Sequence, residues 1–144
     1  MSRPVIGVDE AGRGPVIGPL VVCALCVQES DYETLLDIGA RDSKQLSAKN
    51  REEIAANIRK QAESKGWGIG IVVCEPSRID FNSLHSDLNR LEVELFAEAI
   101  ESASENAPQG IMMLDSCDVD ESRFSRRIAA RLGQGWSDWE IDSR

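Results

Sequence analysis

The chain is short of the residues from which most catalytic chemistry is built. Its 144 residues include one histidine, His85, one tyrosine, Tyr32, and only 5% aromatics. With a single histidine and no G-x-S-x-G segment, a Ser-His-Asp hydrolase has little to stand on. His85 opens an apolar helical stretch, where a capping or surface role is expected rather than catalysis. Positive charge is also scarce: 16 Lys and Arg face 25 Asp and Glu, a net charge of −9. A protein that grips nucleic acid with its whole surface is basic, so either the partner is not a polyanion or the contact is local, through metal ions and a few arginines. No segment approaches the roughly 18 consecutive apolar residues of a membrane helix. MSRPVIG at the N-terminus carries no hydrophobic signal region, because Asp9 and Glu10 interrupt it. A cytoplasmic location without a membrane partner is expected.

Cysteine is present but poorly patterned for metal or redox work. Cys23 and Cys26 form a C-x-x-C, yet it reads VVCALCV, inside an apolar run of strand character. Residues three apart on a strand point to opposite faces and share a metal badly. With Cys74 and Cys117 they are expected to be buried thiols of a reducing compartment. GRGPVIG resembles a phosphate loop only superficially. Its third glycine is misplaced for G-x-G-x-x-G, and a proline and a strand follow it instead of a helix. DVDES, at 118–122, starts like a calcium loop but lacks the glycine that should follow, and reads equally as a helix N-terminus.

What is present is an ordinary globular core, 42% apolar, in one domain's length of chain. Residues 4–9 and 16–28 read as apolar strands joined closely enough for a hairpin. SAKNREEIAANIRKQAESKG repeats Ile54, Ile58 and Ala62 four apart, with Ser47 as N-cap and Gly66 as stop, which predicts a helix. A strand follows at 66–75. The next helix carries Leu84, Leu88, Leu91, Leu95, Ala99 and Ala103 at helical spacing. A strand at 108–116, a helix placing Phe124, Ile128 and Leu132 inward, and a terminal strand complete the chain. This order describes an α/β domain with a mixed sheet.

Two of these strands end in acid, VIGVDE at Asp9 and Glu10 and IMMLDS at Asp115. If they lie side by side in parallel, Asp9 and Asp115 meet at the carboxyl edge, where open α/β sheets place their sites. Like charges there repel by about 4 kcal/mol per pair at 4 Å for an effective dielectric near 20. A divalent cation removes that cost, and oxygen ligands favour Mg²⁺ or Mn²⁺ over zinc. An acid after a strand can also be a turn residue or cap, a reading that remains open for Asp9 or Asp115 alone and more so for Asp118 and Asp120.

DEAGRGPVIGP, then DSKQLSAKNREE, then MLDSCDVDESRF resemble ribonuclease HII (type 2 ribonuclease H). With LNRLEVELFAEAI, the later segments look most like its archaeal branch, and the resemblance runs in order from residue 5 to about 132. It implies a ribonuclease H-like fold, a mixed five-stranded sheet flanked by helices. It implies an endonuclease that cuts the RNA strand of RNA–DNA hybrids and single ribonucleotides in duplex DNA, leaving 5′-phosphate and 3′-hydroxyl ends, with a part in ribonucleotide excision during DNA replication and repair. By motif position Asp9, Glu10 and Asp115 would be the catalytic metal ligands, holding Mg²⁺ or Mn²⁺, with two ions expected. Gly12, Arg13 and Gly14 match the loop that reads the ribose 2′-hydroxyl and holds the adjacent phosphate. Asp42, Ser43 and Lys44 match the DSK motif, with Ser43 and Lys44 on the substrate side. The chemistry suits these roles. Two ions about 4 Å apart activate water and clamp a phosphate, glycines admit a close sugar, and the 2′-hydroxyl alone separates RNA from DNA.

Arg123, Arg127 and Arg131 fall four apart and would add phosphate contacts, against the plainer reading of a solvated face. In the family a fourth carboxylate and a tyrosine that stacks on deoxyribose follow the segment matching WSDWEIDSR. Asp142 precedes the expected place and is not assigned that role. Residues 1–144 are therefore expected to be a catalytic domain lacking the family's C-terminal part, a monomer when full length. A different class of reading is a non-catalytic hybrid-binding or self-associating fragment that keeps three carboxylates. A third is another nuclease or phosphotransferase on the same fold.

Overall fold

The computed structural model describes residues 3–11, 19–40, 47–75, 77, 88–104, 109–115 and 121–143. Its centre is a five-stranded mixed sheet. The strands are β1 (Pro4–Ala11), β2 (Leu20–Gln28), β3 (Gly68–Cys74), β4 (Ile111–Leu114) and β5 (Glu140–Ser143), in the order β3-β2-β1-β4-β5. β1 pairs antiparallel with β2 and parallel with β4, as the expected hairpin and side-by-side strands require. Four helices accompany it among the described residues: α1 (Tyr32–Ile38), α2 (Ala48–Lys65), α3 (Leu88–Ala103) and α4 (Glu121–Leu132).

Strand alternation gives the sheet two unlike faces. Ile6, Val8, Leu20, Val22, Ala24, Met112 and Leu114 point one way and are buried with Leu95, Phe96 and Ile100 of α3 and Phe124 and Ile128 of α4. Phe96 and Phe124 meet edge to face with centroids 5.1 Å apart, a geometry worth about 1 kcal/mol beyond the area it buries. β3 joins this core through two glycines. A Cβ on Gly68 would stand 1.7 Å from the Ala103 carbonyl oxygen, and one on Gly70 2.1 Å from that of Ala99. The helix backbone therefore lies directly on the strand, and no larger residue fits between them.

Among the described residues the opposite face is covered at one end only. There Leu25, Val27 and Ile69 form a second core with Leu35 and Ile38 of α1, Ile58 and Ala62 of α2, and Trp67. Trp67 Nε1–H donates to Asp31 Oδ2 at 2.8 Å, and Lys65 stands 3.7 Å from the same carboxylate. The ends of α2 are those expected: Asn50 N–H donates to Ser47 Oγ at 3.1 Å, and Gly66 closes the helix at φ 72°.

Several sequence expectations are corrected. α1 is an element to which the sequence reading assigns no helix, since seven residues are too few to establish a periodicity. β1 continues to Ala11, two residues past the expected end at Asp9, so Glu10 also lies within the strand. The cysteines are not uniformly buried. Cys74 is buried and Cys26 partly so, but Cys23 is exposed, because the second core does not extend over its part of the sheet. Cys23 and Cys26 do point to opposite faces, opposite Asp9 and Ile6 respectively on β1. Cys117 and His85 lie outside the described residues.

Candidate active site

The site is built by register. Val5, Ile6, Gly7 and Val8 of β1 pair in order with Ile111, Met112, Met113 and Leu114 of β4. The next step along both strands brings Asp9 level with Asp115. Asp115 N–H donates to the Val8 carbonyl at 3.0 Å, carrying the ladder one residue past β4. Adjacent strands run about 4.8 Å apart, so the two acids are neighbours at the carboxyl edge. The Glu10 N–H donates to Asp9 Oδ1 at 2.7 Å, which orients that carboxylate on its own backbone.

Gly7, Val8, Asp9, Cys23, Leu25, Met113, Leu114 and Asp115 line a cleft of about 460 Å³ on the partly covered face. A Cβ on Gly7 would have nothing within 4 Å, so the absence of a side chain there keeps the cleft open. Shielding by the cleft walls pushes the Cys23 thiol above its usual pKa, Arg59 pulls it back, and the nearby Asp9 charge raises it further. Cys23 therefore stays a neutral thiol beside the acids at neutral pH.

Asp9 and Asp115 are thus brought together, as expected. Glu10 is not among the cleft-lining residues described. As the next residue of the strand it belongs to the face of Ile6 and Val8, opposite Val22 of β2. Gly12, Arg13, Gly14, Asp42, Ser43, Lys44, Asp118 and Asp120 lie outside the described residues. The arginine stripe lies on α4, which packs against the other face of the sheet. Arg131 is engaged there by Glu94, at 2.6 and 2.8 Å, and by Glu101 at 3.2 Å, so it serves the α3–α4 contact rather than a phosphate.

One acid was set aside on sequence grounds and gains a position here. In the β4–β5 ladder Asp142 pairs with Met113, itself level with Gly7 on β1. Asp142 therefore stands on the cleft face, one strand beyond Asp115 and two residues short of it. The sequence carried only part of the signal: WEID ends in acid as VIGVD and IMMLD do, but without the strand register that places Asp142. Among the described residues no three His, Cys, Asp or Glu close into a ready metal cage. A small hard cation needs none, since Mg²⁺ is held through one or two carboxylates and keeps several waters. Asp9 and Asp115 offer that donor set.

A central mixed sheet in this order, with acids at the carboxyl ends of adjacent strands, places the chain among proteins of ribonuclease H-like fold. It superposes on the ribonuclease H2 of Pyrococcus horikoshii with TM-score 0.77 at 34% identity, covering 98% of this chain and 63% of that one. It superposes on the Archaeoglobus fulgidus ribonuclease HII solved in complex with PCNA with TM-score 0.78 at 32% identity, covering 97% and 60%. A ribonuclease HII of Methanocella arvoryzae is 46% identical over 128 residues, 88% of this chain and 53% of that protein. The family model for ribonuclease HII matches residues 6–137, and the chain belongs to that family. It spans about half the length of the curated relatives it matches.

Proposed function

We propose that this chain carries the metal-binding part of an endonuclease that hydrolyses phosphodiester bonds on the RNA strand of RNA–DNA hybrids and at single ribonucleotides in duplex DNA, giving 5′-phosphate and 3′-hydroxyl ends. The observation that carries the reading is the parallel register of β1 and β4, which sets Asp9 beside Asp115 at the open end of a cleft. Family membership supports the reaction class.

Asp9 and Asp115 would hold Mg²⁺ or Mn²⁺ at the strand ends, Asp142 would supply a further carboxylate from β5, and Glu10 is assigned with them by motif. A metal pair bound there supplies a polarised water and a clamp on the scissile phosphate. The protein's own part is to orient carboxylate oxygens on a rigid sheet and to leave room for the sugar–phosphate chain over Gly7. Gly12, Arg13 and Gly14 would read the 2′-hydroxyl, the group that marks RNA. Ser43 and Lys44 would hold phosphate.

The test is cleavage of a DNA duplex with one embedded ribonucleotide, in Mg²⁺ and in Mn²⁺, by the chain and by Asp9→Asn. Metal-dependent incision 5′ to the ribonucleotide–DNA step, lowered on the order of a thousandfold by the substitution with unchanged melting temperature, is the expected outcome. Equal cleavage by the Asn variant sinks the metal-ligand assignment. Metal-independent binding without cleavage by the 144-residue chain favours the hybrid-binding fragment.

A further inference from the structure

An acidic cleft that receives a polyanion has an electrostatic problem. Asp9, Asp115 and Asp142 repel phosphate, and the net charge of −9 offers no general attraction. Bound cations answer this at the reacting bond only. Elsewhere along the substrate a fixed positive side chain must face the cleft.

α2 supplies one. The helix lies on the cleft face of the sheet, and Leu25 is shared between the second core beneath α2 and the wall of the cleft. Ile58 and Ala62 mark the side of α2 that packs against the sheet. Arg59 follows Ile58 by one residue and sits about 100° around the helix from it, on the flank of that contact. Lys60 is a further 100° round, facing away. Ile58 packs in the same cluster as Leu25, so the cleft wall lies beside the turn of α2 that carries Arg59. Its charge is felt at Cys23, the residue paired with Asp9 across β1 and β2 and part of the cleft lining. Arg59 is exposed, and among the described residues no carboxylate forms an ion pair with it.

We propose that Arg59 is a further substrate-binding residue, which reaches from α2 across the cleft to a backbone phosphate of the nucleic-acid duplex. This rests on the nuclease reading above, and it adds a contact on a helix that the strand-end carboxylates do not involve. A guanidinium suits the task, since its planar fork can grip two phosphate oxygens at once. The contact touches phosphate and not base, so it confers affinity without sequence preference.

Binding of a fluorescent one-ribonucleotide duplex is measured by anisotropy in metal-free buffer over a salt series. The chain is compared with Arg59→Ala, Arg59→Lys and Lys60→Ala, and kcat and KM are measured separately in Mg²⁺. Removing one phosphate contact lowers the slope of log K against log salt by about 1. Arg59→Ala is expected to show that loss, with affinity on the order of tenfold weaker at low salt and a raised KM at unchanged kcat. Arg59→Lys keeps the slope with part of the affinity, and Lys60→Ala matches the unsubstituted chain. An unchanged slope in Arg59→Ala, or an equal loss in Lys60→Ala, overturns the assignment while leaving the nuclease reading intact. A chain that neither binds nor cleaves the duplex overturns the nuclease reading itself.

Discussion

Ile6 and Gly7 are neighbours on one strand, yet they belong to two different environments. Ile6 is sealed between α3 and the sheet, with no exposed surface, in a core that continues through Phe96, Phe124 and Met112. Gly7 opens on a cleft with empty space where its side chain would be. Among the described residues one face of the sheet is filled to exclude water, while the other is filled at one end and open where the acids stand. The same alternation that buries Ile6 and Val8 must deliver Gly7 and Asp9 to the opposite side. Folding and chemistry are thereby separated by a residue period of two, and substitutions on the two faces should fail in different ways.

The largest effect is expected on the closed face. Phe96→Ala removes a fully buried ring and its edge-to-face partner contact with Phe124, at a cost of about 3–5 kcal/mol. Thermal unfolding should shift down by roughly 10 °C for a domain of this size. Nuclease activity per folded molecule should be unchanged at low temperature. A variant that stays as stable as its parent would show that the ring is not part of a close-packed core.

Next comes Asp142→Asn, on the open face. Loss of one carboxylate from the proposed metal edge is expected to lower cleavage about a hundredfold, near 2.7 kcal/mol of transition-state stabilisation, with no loss of thermal stability. The result decides whether Asp142 acts with Asp9 and Asp115 or only stands beside them. Unchanged cleavage would show that Asp142 holds no metal.

Asp142 also marks where the sequence stopped being informative. Helix and strand positions were legible because their apolar spacing is local: Ser47 and Gly66 delimit α2, and Leu95, Ala99 and Ala103 trace α3. Asp9 and Asp115 were legible because each ends an apolar run, and only parallel pairing had to be supplied. Asp142 needed the register of a third strand, which nothing in WEID encodes. Exposure of Cys23 depends on which stretch of sheet α1 and α2 cover, and the helix α1 is too short to announce itself. Arg131 was read from its helical spacing with Arg123 and Arg127. Its partners Glu94 and Glu101 lie on another helix, so only packing could reveal them.

The smallest expected effect falls on Gly7, and it tests the comparison most directly. Gly7→Val places a β-branched residue in the middle of a strand, where valine is intrinsically favoured over glycine. No atom lies within 4 Å of the new Cβ, so nothing in the closed core has to move. Stability should therefore hold or rise by a few tenths of a kcal/mol, read as an equal or higher unfolding midpoint. The side chain instead occupies the cleft between Asp9 and Met113, narrowing the path proposed for the sugar–phosphate chain. Cleavage should fall about tenfold through KM, near 1.4 kcal/mol of lost binding. Loss of stability here would mean that the open face is packed after all. Full activity would mean that the substrate enters away from Gly7, leaving the acids reached from the strand ends alone.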